Sequence, residues 1–339
     1  MSKQAIVLAG GEGYRLRPFT LNRPKSMLSV AGRPLIEYVL EALVASGIRD
    51  VVLVVGYHKE QLFDRLGSGE NLGANIRYVT QARQLGSAHA LAQAEKLAAD
   101  SFLVLPGDKL IRAETIAGFT EQPAPAMLVK ALADPRRDNI VTVDEGWVVG
   151  PQFADERFGG AHEKGIFTVN TGIYALDREI FAHLEGEPHI PAALARMAIQ
   201  GRPCRAVFTS GEWQDVLYPW DIIALNEALL GQIEPCTAGT IEPGVIIRGC
   251  VALGRGSIIR GGSYLQGPVV IGQGCSVGPQ ASLGPATSLG DNVVIEPFCH
   301  ISRSVIGSDT HLGPGSVIQD SVIDRGSTLG SHFQALRDE

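Results

Sequence analysis

The residues near the amino terminus that could do chemistry form a glycine turn followed by arginine. The turn is made of Leu8, Ala9, Gly10, Gly11 and Gly13. Glycine lets main-chain N–H groups approach phosphate oxygens closely, and the guanidinium of Arg15 can form a charge-assisted fork on the same oxygens. Leu16 replaces the third glycine of the dinucleotide-binding fingerprint, and no Gly-Lys-Ser/Thr follows as in a P-loop. The pattern indicates a phosphate site of another kind, although a tight structural turn explains the glycines equally well.

The elements that must position this turn are short β-rich runs alternating with helical stretches. Apolar runs typical of buried parallel strands occupy 5–10, 51–56 and 102–107. Residues 34–46 carry apolar side chains at helical spacing, and Gly47 follows them, which predicts a crossover helix. Further strands are predicted at 126–132, 140–144, 171–176 and 204–209, and a closing helix at 220–230. We therefore expect an α/β fold with a Rossmann-like mixed sheet.

A six-residue repeat then replaces the helical pattern. Large aliphatic residues recur at one interval from Ile241 to Ile301, and the residue four positions after each is small or β-branched. A narrow triangular coil needs one large and one small residue per repeat. The aliphatic side chain fills the middle of each face, and only a small group fits near a corner. The register slips by one residue at Ile306 and again at Ile323. This pattern predicts a left-handed parallel β-helix of about five coils. The expected domains are 1–231 and 236–331.

The composition excludes several classes of protein. The 339 residues, 45% hydrophobic and 19% charged, are more than one small core needs. The net charge of -7 and the absence of a long Lys/Arg run argue against nucleic-acid and membrane-surface partners. No apolar stretch reaches the roughly 20 residues of a membrane span and no signal-peptide layout is present, so we expect a cytoplasmic protein. The five cysteines show neither a Cys-x-x-Cys pair nor zinc spacing, so we expect reduced structural thiols.

The sequence that follows the glycine turn gives it a specific meaning. The segments Pro24-Lys25-Ser26-Met27-Leu28 and Gly32-Arg33-Pro34-Leu35-Ile36 resemble the sugar-1-phosphate nucleotidyltransferase family, and the resemblance covers nearly the whole chain. In that family the glycine turn wraps a nucleoside triphosphate. The resemblance therefore implies nucleotide contacts from all five residues of the turn, and catalytic, charge-neutralising roles for Arg15 and Lys25. A solvated loop lysine is the alternative for Lys25.

The segment 81–90 is similar to the one with which uridylyl- and thymidylyltransferases of this family read the base. An amide side chain and a main-chain group can pair with the imide edge of a pyrimidine, and the pocket is too short for a purine. We expect Gln81, Gly86 and Ser87 to bind the nucleotide, with UTP or dTTP as the substrate. Helix capping is an equally good account of Ser87. Packing within a helix is the favoured role of His89 over catalysis.

Two aspartates that are distant in sequence are implied by the resemblance to meet and to hold Mg²⁺. Asp108 follows the strand at 102–107, and Asp215 lies in the segment 213–221. One or two carboxylates together with phosphate oxygens commonly bind this cation. Asp221 is interpreted as a helix cap and not as a ligand.

The expected reaction joins a sugar 1-phosphate to a nucleoside triphosphate and releases pyrophosphate. The attacking phosphate oxygen is already an anion near neutral pH, so positioning, charge neutralisation and metal suffice without a general base. Asn170 and Thr171 lie in a segment that resembles the sugar-contacting strand of the family, and we expect them at the sugar phosphate. A structural role at the end of a buried strand is the alternative.

Two features of the family are replaced in this chain. Asp138-Asn139 stands where a Tyr/Phe-Gly dipeptide usually precedes a strand, and the segment 155–165 stands where a Glu-Lys-Pro signature is expected. Glu163 and Lys164 are candidates to substitute, and an exposed charged loop is the alternative. The identity of the sugar therefore stays open. The altered loop also leaves a function of another class open, that of a non-catalytic regulatory subunit that binds nucleotide sugars.

The β-helix raises the question of a second activity, because archaeal bifunctional relatives use theirs to transfer an acetyl group from acetyl-CoA. Pro314 occupies the place of their catalytic histidine, and the Asn-rich segment that should follow is not found. We expect no acetyltransferase activity. The remaining role of the β-helix is assembly, as a trimer packed along its flat faces.

Overall fold

The computed structural model describes residues 3–133, 139–151 and 166–336. The segment 155–165 with Glu163 and Lys164 lies outside the described residues, as does Asp138. The helices are α1 (Leu35–Ala45), α2 (Lys59–Leu66), α3 (Ser87–Gln93), α4 (Ala113–Ala117), α5 (Ile190–Ile199) and α6 (Pro219–Leu230). Short 3₁₀ helices span Tyr14–Leu16, Lys25–Met27, Glu70–Leu72, Glu95–Leu97 and Arg178–His183. None of the described helices is long and apolar enough to cross a membrane.

The chain forms two compact units, and each is built from three separate stretches of the sequence. The first comprises Met1–Tyr14, Thr20–Met27 and Leu35–Asp215. The second comprises Arg15–Phe19, Leu28–Pro34 and Val216–Glu339. The strands up to residue 215 are β1 (Gln4–Leu8), β2 (Ser29–Val30), β3 (Arg33–Pro34), β4 (Asp50–Val55), β5 (Asn75–Thr80), β6 (Ser101–Pro106), β7 (Lys109–Ile111), β8 (Ala126–Leu132), β9 (Val141–Asp144), β10 (Trp147–Pro151), β11 (Phe167–Asp177), β12 (Cys204–Phe208) and β13 (Trp213–Asp215).

A mixed nine-stranded sheet forms the centre of the first unit, in the order β5-β4-β1-β6-β11-β8-β12-β10-β9. β5, β4, β1 and β6 run parallel, whereas β11 lies antiparallel to both β6 and β8. Apolar side chains of α1 and α2 pack on one face, and those of α3 and α5 pack on the other. The expected α/β fold with a mixed sheet is confirmed. The strands β5 and β10 were not predicted, because both carry polar or exposed residues near an edge of the sheet.

The crossover helix predicted at 34–46 is α1, and its sequence explains its bounds. Ile36, Leu40 and Leu43 are fully buried at helical spacing. Gly47 follows the helix with φ of 85°, a left-handed conformation that other residues rarely adopt. The helix therefore starts and stops where the sequence indicates.

The carboxyl ends of β1 and β6 lie side by side, and this pairing brings the candidate residues together. Leu8 lies opposite Pro106, and the Gly107 N–H donates to the Leu8 carbonyl over 2.9 Å. Immediately beyond β6, β7 pairs with β13, so that Lys109 lies opposite Asp215. The turn after β1, Asp108 and Asp215 consequently share one edge of the sheet.

The second unit is built around a left-handed parallel β-helix, as the repeat predicts. Its strands are β14 (Cys236–Thr237), β15 (Thr240–Ile241), β16 (Ile246–Arg248), β17 (Val251–Leu253), β18 (Ile258–Ile259), β19 (Tyr264–Gln266), β20 (Val269–Ile271), β21 (Ser276–Val277), β22 (Ser282–Leu283), β23 (Thr287–Leu289), β24 (Val294–Ile295), β25 (His300–Ser302), β26 (Val305–Ile306), β27 (His311–Leu312), β28 (Val317–Gln319), β29 (Val322–Ile323), β30 (Thr328–Leu329) and β31 (Gln334–Ala335). They form three parallel sheets of six strands each. The helix therefore has six coils and not about five, because β14 and β31 add a strand at each end although neither carries a large aliphatic residue of the repeat.

The interior of the β-helix follows the predicted pairing of a large and a small residue. Ile259 and Leu265 are fully buried, and the Ser257 hydroxyl donates to the Gly272 carbonyl of the next coil over 2.6 Å. Thr287 lies opposite Val269, but Val305 lies opposite Ser288, so the coil shortens by one residue where the sequence register slips.

All five cysteines are free thiols, as expected. Cys275 and Cys299 fill small interior positions of the β-helix. Cys204 is buried in the core of the first unit, and burial raises the pKa of its thiol to about 12. A thiol that stays protonated at neutral pH is a poor nucleophile, which fits a structural role.

Asn226 of α6 ties the β2–β3 hairpin to the β-helix within the second unit. Its side-chain oxygen accepts from the Ala31 N–H over 3.0 Å and from the Ser288 hydroxyl over 2.7 Å. Its side-chain nitrogen donates to the Ala286 carbonyl over 3.0 Å. Asn226 and its three partners are all buried. The Ala31 N–H, the Ala286 carbonyl and the Ser288 hydroxyl therefore depend on Asn226 for a hydrogen bond.

We predict that Asn226→Leu lowers the free energy of unfolding by about 3 kcal/mol, because it leaves buried main-chain groups without partners. Urea denaturation followed by circular dichroism measures this loss. Glu227→Ala, on the exposed side of the same helix, is the control and should cost less than about 1 kcal/mol. Equal losses in the two variants would contradict the bridging role of Asn226.

Candidate active site

The glycine turn is held open by main-chain hydrogen bonds to its neighbours. The Ala9 N–H donates to the Val54 carbonyl over 2.8 Å, and the Tyr57 N–H donates to the Gly10 carbonyl over 3.2 Å. Gly13 has φ of 71°, and a β-carbon there would lie 2.8 Å from the β-carbon of Lys25. Gly13 is therefore required both for its conformation and for the close approach of Lys25.

A cleft of about 290 Å³ lies at this edge of the sheet, near the lower limit for small-molecule sites. The predicted site residues that line it are Leu8, Ala9, Gly10, Gly11, Lys25, Gln81, Gly86, Ser87 and Asp108. Ser26, Gln84 and Ala90 line it as well and were not predicted. Ser26 and Gln84 belong to the two segments that carry the family resemblance, which is the signal that could have found them. The Ser26 hydroxyl is buried and makes no hydrogen bond to the described residues.

Lys25 lies between the two predicted metal ligands. Its Nζ is 2.6 Å from Asp108 Oδ2 and 3.6 Å from Asp215 Oδ1. On the other side of Asp215, Oδ2 lies 3.1 Å from the Nζ of Lys109. The side chain of Asp215 is only 8% exposed and that of Asp108 is 23% exposed. Two carboxylates and two ammonium groups therefore balance one another at the base of the site.

The charge of Lys25 is set by this arrangement. Burial lowers the pKa of the amine, but the charges of Asp108 and Asp215 and the hydrogen bonds to both raise it. The net effect is a pKa above the ordinary value of 10.5. Lys25 is therefore a permanent cation at neutral pH and not a proton acceptor.

The donor set of the two aspartates fits a hard divalent cation. Both carboxylates have an oxygen within 3.6 Å of the Lys25 ammonium, and Mg²⁺ prefers oxygen ligands from one or two carboxylates plus substrate phosphates. The described residues contain no cluster of three or more His, Cys, Asp or Glu side chains that could hold a metal unaided. A metal here would depend on the phosphates of a substrate to complete its shell.

The same cleft contains the residues expected to read a base. Gln81 is buried, and its Nε2 donates to the Gly86 carbonyl over 3.2 Å. Gly86 has φ of 105°, and a β-carbon there would collide with the main-chain oxygen of Pro188. The Ser87 hydroxyl accepts from the Ile190 N–H over 3.1 Å and makes no cap bond, so its interpretation as a helix cap is wrong.

Asn170 and Thr171 are turned into the protein. Thr171 is fully buried, and its hydroxyl donates to the Leu128 carbonyl over 2.7 Å. The Asn170 amide donates to the Tyr174 hydroxyl over 2.7 Å and accepts from the Gly172 N–H over 2.8 Å. These bonds stabilise a bulge in β11 at Gly172. In this structure the two side chains therefore have a structural role in the strand.

Arg15 and Asp221 are the remaining residues that the sequence singled out. Arg15 is exposed within the 3₁₀ helix Tyr14–Leu16 and belongs to the second unit, so its catalytic role stays a prediction. Asp221 accepts from the Leu217 and Tyr218 N–H groups, both over 2.8 Å, at the start of α6. Asp221 therefore closes a capping box from the N3 position, and the N-cap itself, which the sequence assigned to Asp221, is Tyr218.

A glycine turn, a fixed cation and two carboxylates beside that cation are typical of phosphoryl and nucleotidyl transfer. Comparison with known proteins agrees with this class. The chain matches the family model described as "Nucleotidyl transferase" over residues 4–231, and the model described as "GMPPB C-terminal domain" over residues 265–335.

Individual relatives specify the family further. The chain is 31% identical to a glucose-1-phosphate thymidylyltransferase of Streptomyces griseus, over 98% of this chain and 93% of the relative. It is 30% identical to the bifunctional protein GlmU of Methanococcus maripaludis, over 96% of this chain and 78% of the relative. A solved structure from Bacillus anthracis, described as a glucose-1-phosphate thymidylyltransferase in complex with sucrose, has a TM-score of 0.59 at 25% identity, covering 69% of this chain and 97% of that chain. The chain belongs to the sugar-1-phosphate nucleotidyltransferase family.

We predict that Lys25→Met lowers the free energy of unfolding at pH 7 by about 3 kcal/mol, because it leaves two carboxylates facing each other with one cation fewer. The stabilisation by Lys25 is fully present below the ordinary lysine pKa of 10.5 and is lost as the pH rises through the higher pKa of the folded state. Urea denaturation of both proteins across pH measures it.

Lys59→Met is the matched control, since the Lys59 side chain makes a single exposed contact, to Thr80, within the part of the chain that the structure describes. It should change the free energy of unfolding by less than about 0.5 kcal/mol. A loss at Lys25 no larger than that at Lys59 would show that the buried charges do not depend on this lysine.

Proposed function

We propose that this enzyme transfers a uridylyl or thymidylyl group to a sugar 1-phosphate and releases pyrophosphate. The observation that carries the proposal is the convergence of the glycine turn, Lys25, Asp108 and Asp215 at one edge of the sheet. A non-catalytic subunit that only binds nucleotide sugars has no need of two partly buried carboxylates around a fixed cation. This charge arrangement therefore favours catalysis over the regulatory alternative.

The main-chain groups of the turn are suited to hold the triphosphate, because glycines at these positions leave the N–H groups accessible. A β-carbon on Gly107 would lie 3.0 Å from the β-carbon of Ala9, so the floor of the turn also requires a glycine. Lys25 then supplies a positive charge next to the phosphates, and Arg15 is proposed to supply a second. Both neutralise charge without transferring a proton.

Asp108 and Asp215 are the residues proposed to hold Mg²⁺. When bound, the ion would neutralise the charge that builds up on the reacting phosphate and the departing pyrophosphate. Lys109 is 3.1 Å from Asp215 and thus competes with a metal for that carboxylate. Its Nζ also lies 5.0 Å from the centre of the Trp213 ring. This cation–π contact would stabilise the ammonium group if a metal bound the carboxylate.

The attacking group is the phosphate oxygen of the sugar 1-phosphate, which carries its negative charge before it binds. The enzyme therefore needs to bring this oxygen in line with the α-phosphorus and to offset the repulsion between two anions. Asn170 and Thr171 are proposed to act at the sugar side by fixing the bulge at Gly172, next to which Lys109 lies. Gln81, Gly86 and Ser87 are proposed to contact the base, with UTP or dTTP as the nucleotide.

The β-helix is proposed to have no acetyltransferase activity, since Pro314 cannot serve as the base that a histidine provides. A trimer assembled through the β-helix, a cytoplasmic location and a division into domains at 1–231 and 236–331 are retained as predictions. They rest on the hexapeptide repeat, on composition and on the change of pattern after residue 231.

The test is a pyrophosphate-release assay of UTP and dTTP against glucose, N-acetylglucosamine and galactosamine 1-phosphates with Mg²⁺. We predict turnover with at least one pair. Asp108→Asn and Asp215→Asn should each lower kcat/KM by about 100-fold, because each removes a charge that acts on the transition state.

Asp50→Asn is the control, because Asp50 carries the same charge at the opposite end of a strand of the sheet and pairs with Arg77 on the surface. It should stay within about twofold of the wild-type kcat/KM. Tight nucleotide-sugar binding without pyrophosphate release from any pair would favour the regulatory subunit and overturn the proposal.

A further inference from the structure

A chain of side-chain contacts lies beneath the base end of the cleft and connects Gln81 to α3. The Gln81 Nε2 is 2.9 Å from the Nδ1 of His89, and the Nε2 of His89 is 3.5 Å from the Nε2 of Gln93. Gln81 and His89 therefore interact directly, although His89 itself is not among the residues that line the cleft.

The orientation of the Gln81 amide is fixed by chemistry. The Gly86 carbonyl can only accept a hydrogen bond, so the amide atom 3.2 Å from it must be the nitrogen. The same nitrogen has a second hydrogen, and this hydrogen is directed at His89 Nδ1. Both donors of the amide are thus used inside the protein.

The tautomer of His89 follows from the same argument. An Nδ1 that faces an amide N–H at 2.9 Å must present its lone pair, which places the proton of the neutral ring on Nε2. The contact between Nε2 and Gln93 is longer, at 3.5 Å, and the Gln93 nitrogen donates to the His89 main-chain oxygen over 3.2 Å. The shorter contact with Gln81 decides the tautomer.

Only one polar atom of the Gln81 side chain then remains for a ligand. A β-carbon on Gly10 would lie 3.0 Å from the Gln81 Oε1, which places this oxygen against the glycine turn where both residues line the cleft. Oε1 accepts no hydrogen bond from the described residues. The base end of the cleft therefore presents a fixed acceptor.

We propose that His89 is a positioning residue for base selection: it locks the Gln81 amide so that an acceptor faces the base and uracil or thymine is chosen over cytosine. This inference rests on the proposed function. The N3 of uracil or thymine carries a hydrogen that Oε1 can accept. The N3 of cytosine carries a lone pair, which Oε1 repels.

Without the histidine acceptor, only the bond to the Gly86 carbonyl would hold the amide. Gln81 could then rotate its amide and offer an N–H to cytosine. Discrimination between the two pyrimidines depends on the amide keeping one face toward the base, because a site that can pair with both edges rejects neither.

The experiment compares His89→Leu with His89→Asn, since the Asn oxygen places an acceptor near the position of Nδ1 and leucine does not. The kcat/KM of the preferred pyrimidine triphosphate is divided by that of CTP, with the same sugar 1-phosphate. We expect His89→Leu to lower this ratio by about 3- to 10-fold, the effect of one hydrogen bond. His89→Asn should keep the ratio within about twofold of wild type.

A purely structural role would lower both rates together in His89→Leu and leave the ratio unchanged, and that result would overturn the proposal. An equal loss of ratio in His89→Asn would do so as well. Circular dichroism melting of both variants identifies any that do not fold.

A second measurement does not depend on turnover. Long-range ¹H–¹⁵N NMR of wild-type protein labelled at histidine reports the tautomer of His89 directly. We expect a neutral ring with the proton on Nε2, and a proton on Nδ1 would overturn the inference whatever the enzyme does. Absence of turnover with every triphosphate, together with the expected tautomer, would instead count against the proposed function.

Discussion

The balance of charge around Lys25 is the constraint on which the rest of the site depends. Two carboxylates with little access to water would repel each other if they stood alone, and the ammonium group between them makes their approach possible. A second ammonium, that of Lys109, completes the balance on the far side of Asp215. The charges of the two lysines and the two aspartates therefore cancel.

The pairing of the strands places the charged residues of this site. Asp108 is placed by the end of β6, and Asp215 by the pairing of β13 with β7, so two residues distant in sequence arrive at one point. Gly13 allows Lys25 to reach them, since any larger residue would occupy the space of the lysine side chain. In the proposed function, charged groups bind the phosphates, whereas the buried amide of Gln81, which lies against the glycine turn, reads the base.

Much of this could be predicted from the sequence, because its strongest patterns are periodic or local. The buried runs of β1, β4 and β6 and the spacing in α1 predict the sheet and its crossover, and the hexapeptide repeat predicts the β-helix down to the shortened coils. Only the first and last strands, β14 and β31, were not predicted, since neither carries the large aliphatic residue of the repeat. The approach of Asp108 to Asp215 was implied by family resemblance alone, because no local pattern connects β7 to β13.

What sequence could not show is the direction in which side chains point. Asn170 and Thr171 turn inward because the bulge at Gly172 reverses the local alternation of β11, and Lys109 faces Asp215 because β7 pairs with β13. Ser87 accepts a hydrogen bond from Ile190, which lies far away in the sequence. Such contacts depend on tertiary packing, which motifs of a few residues do not encode.

The most direct test of the central claim is the binding of Mn²⁺, a spectroscopic substitute for Mg²⁺, followed by electron paramagnetic resonance with and without UTP or dTTP. If the two carboxylates hold a metal together with substrate phosphates, Mn²⁺ should bind tightly only when the nucleotide is present, and the Asp108→Asn/Asp215→Asn double variant should lose this gain. Equal nucleotide-dependent binding by the double variant would contradict the account.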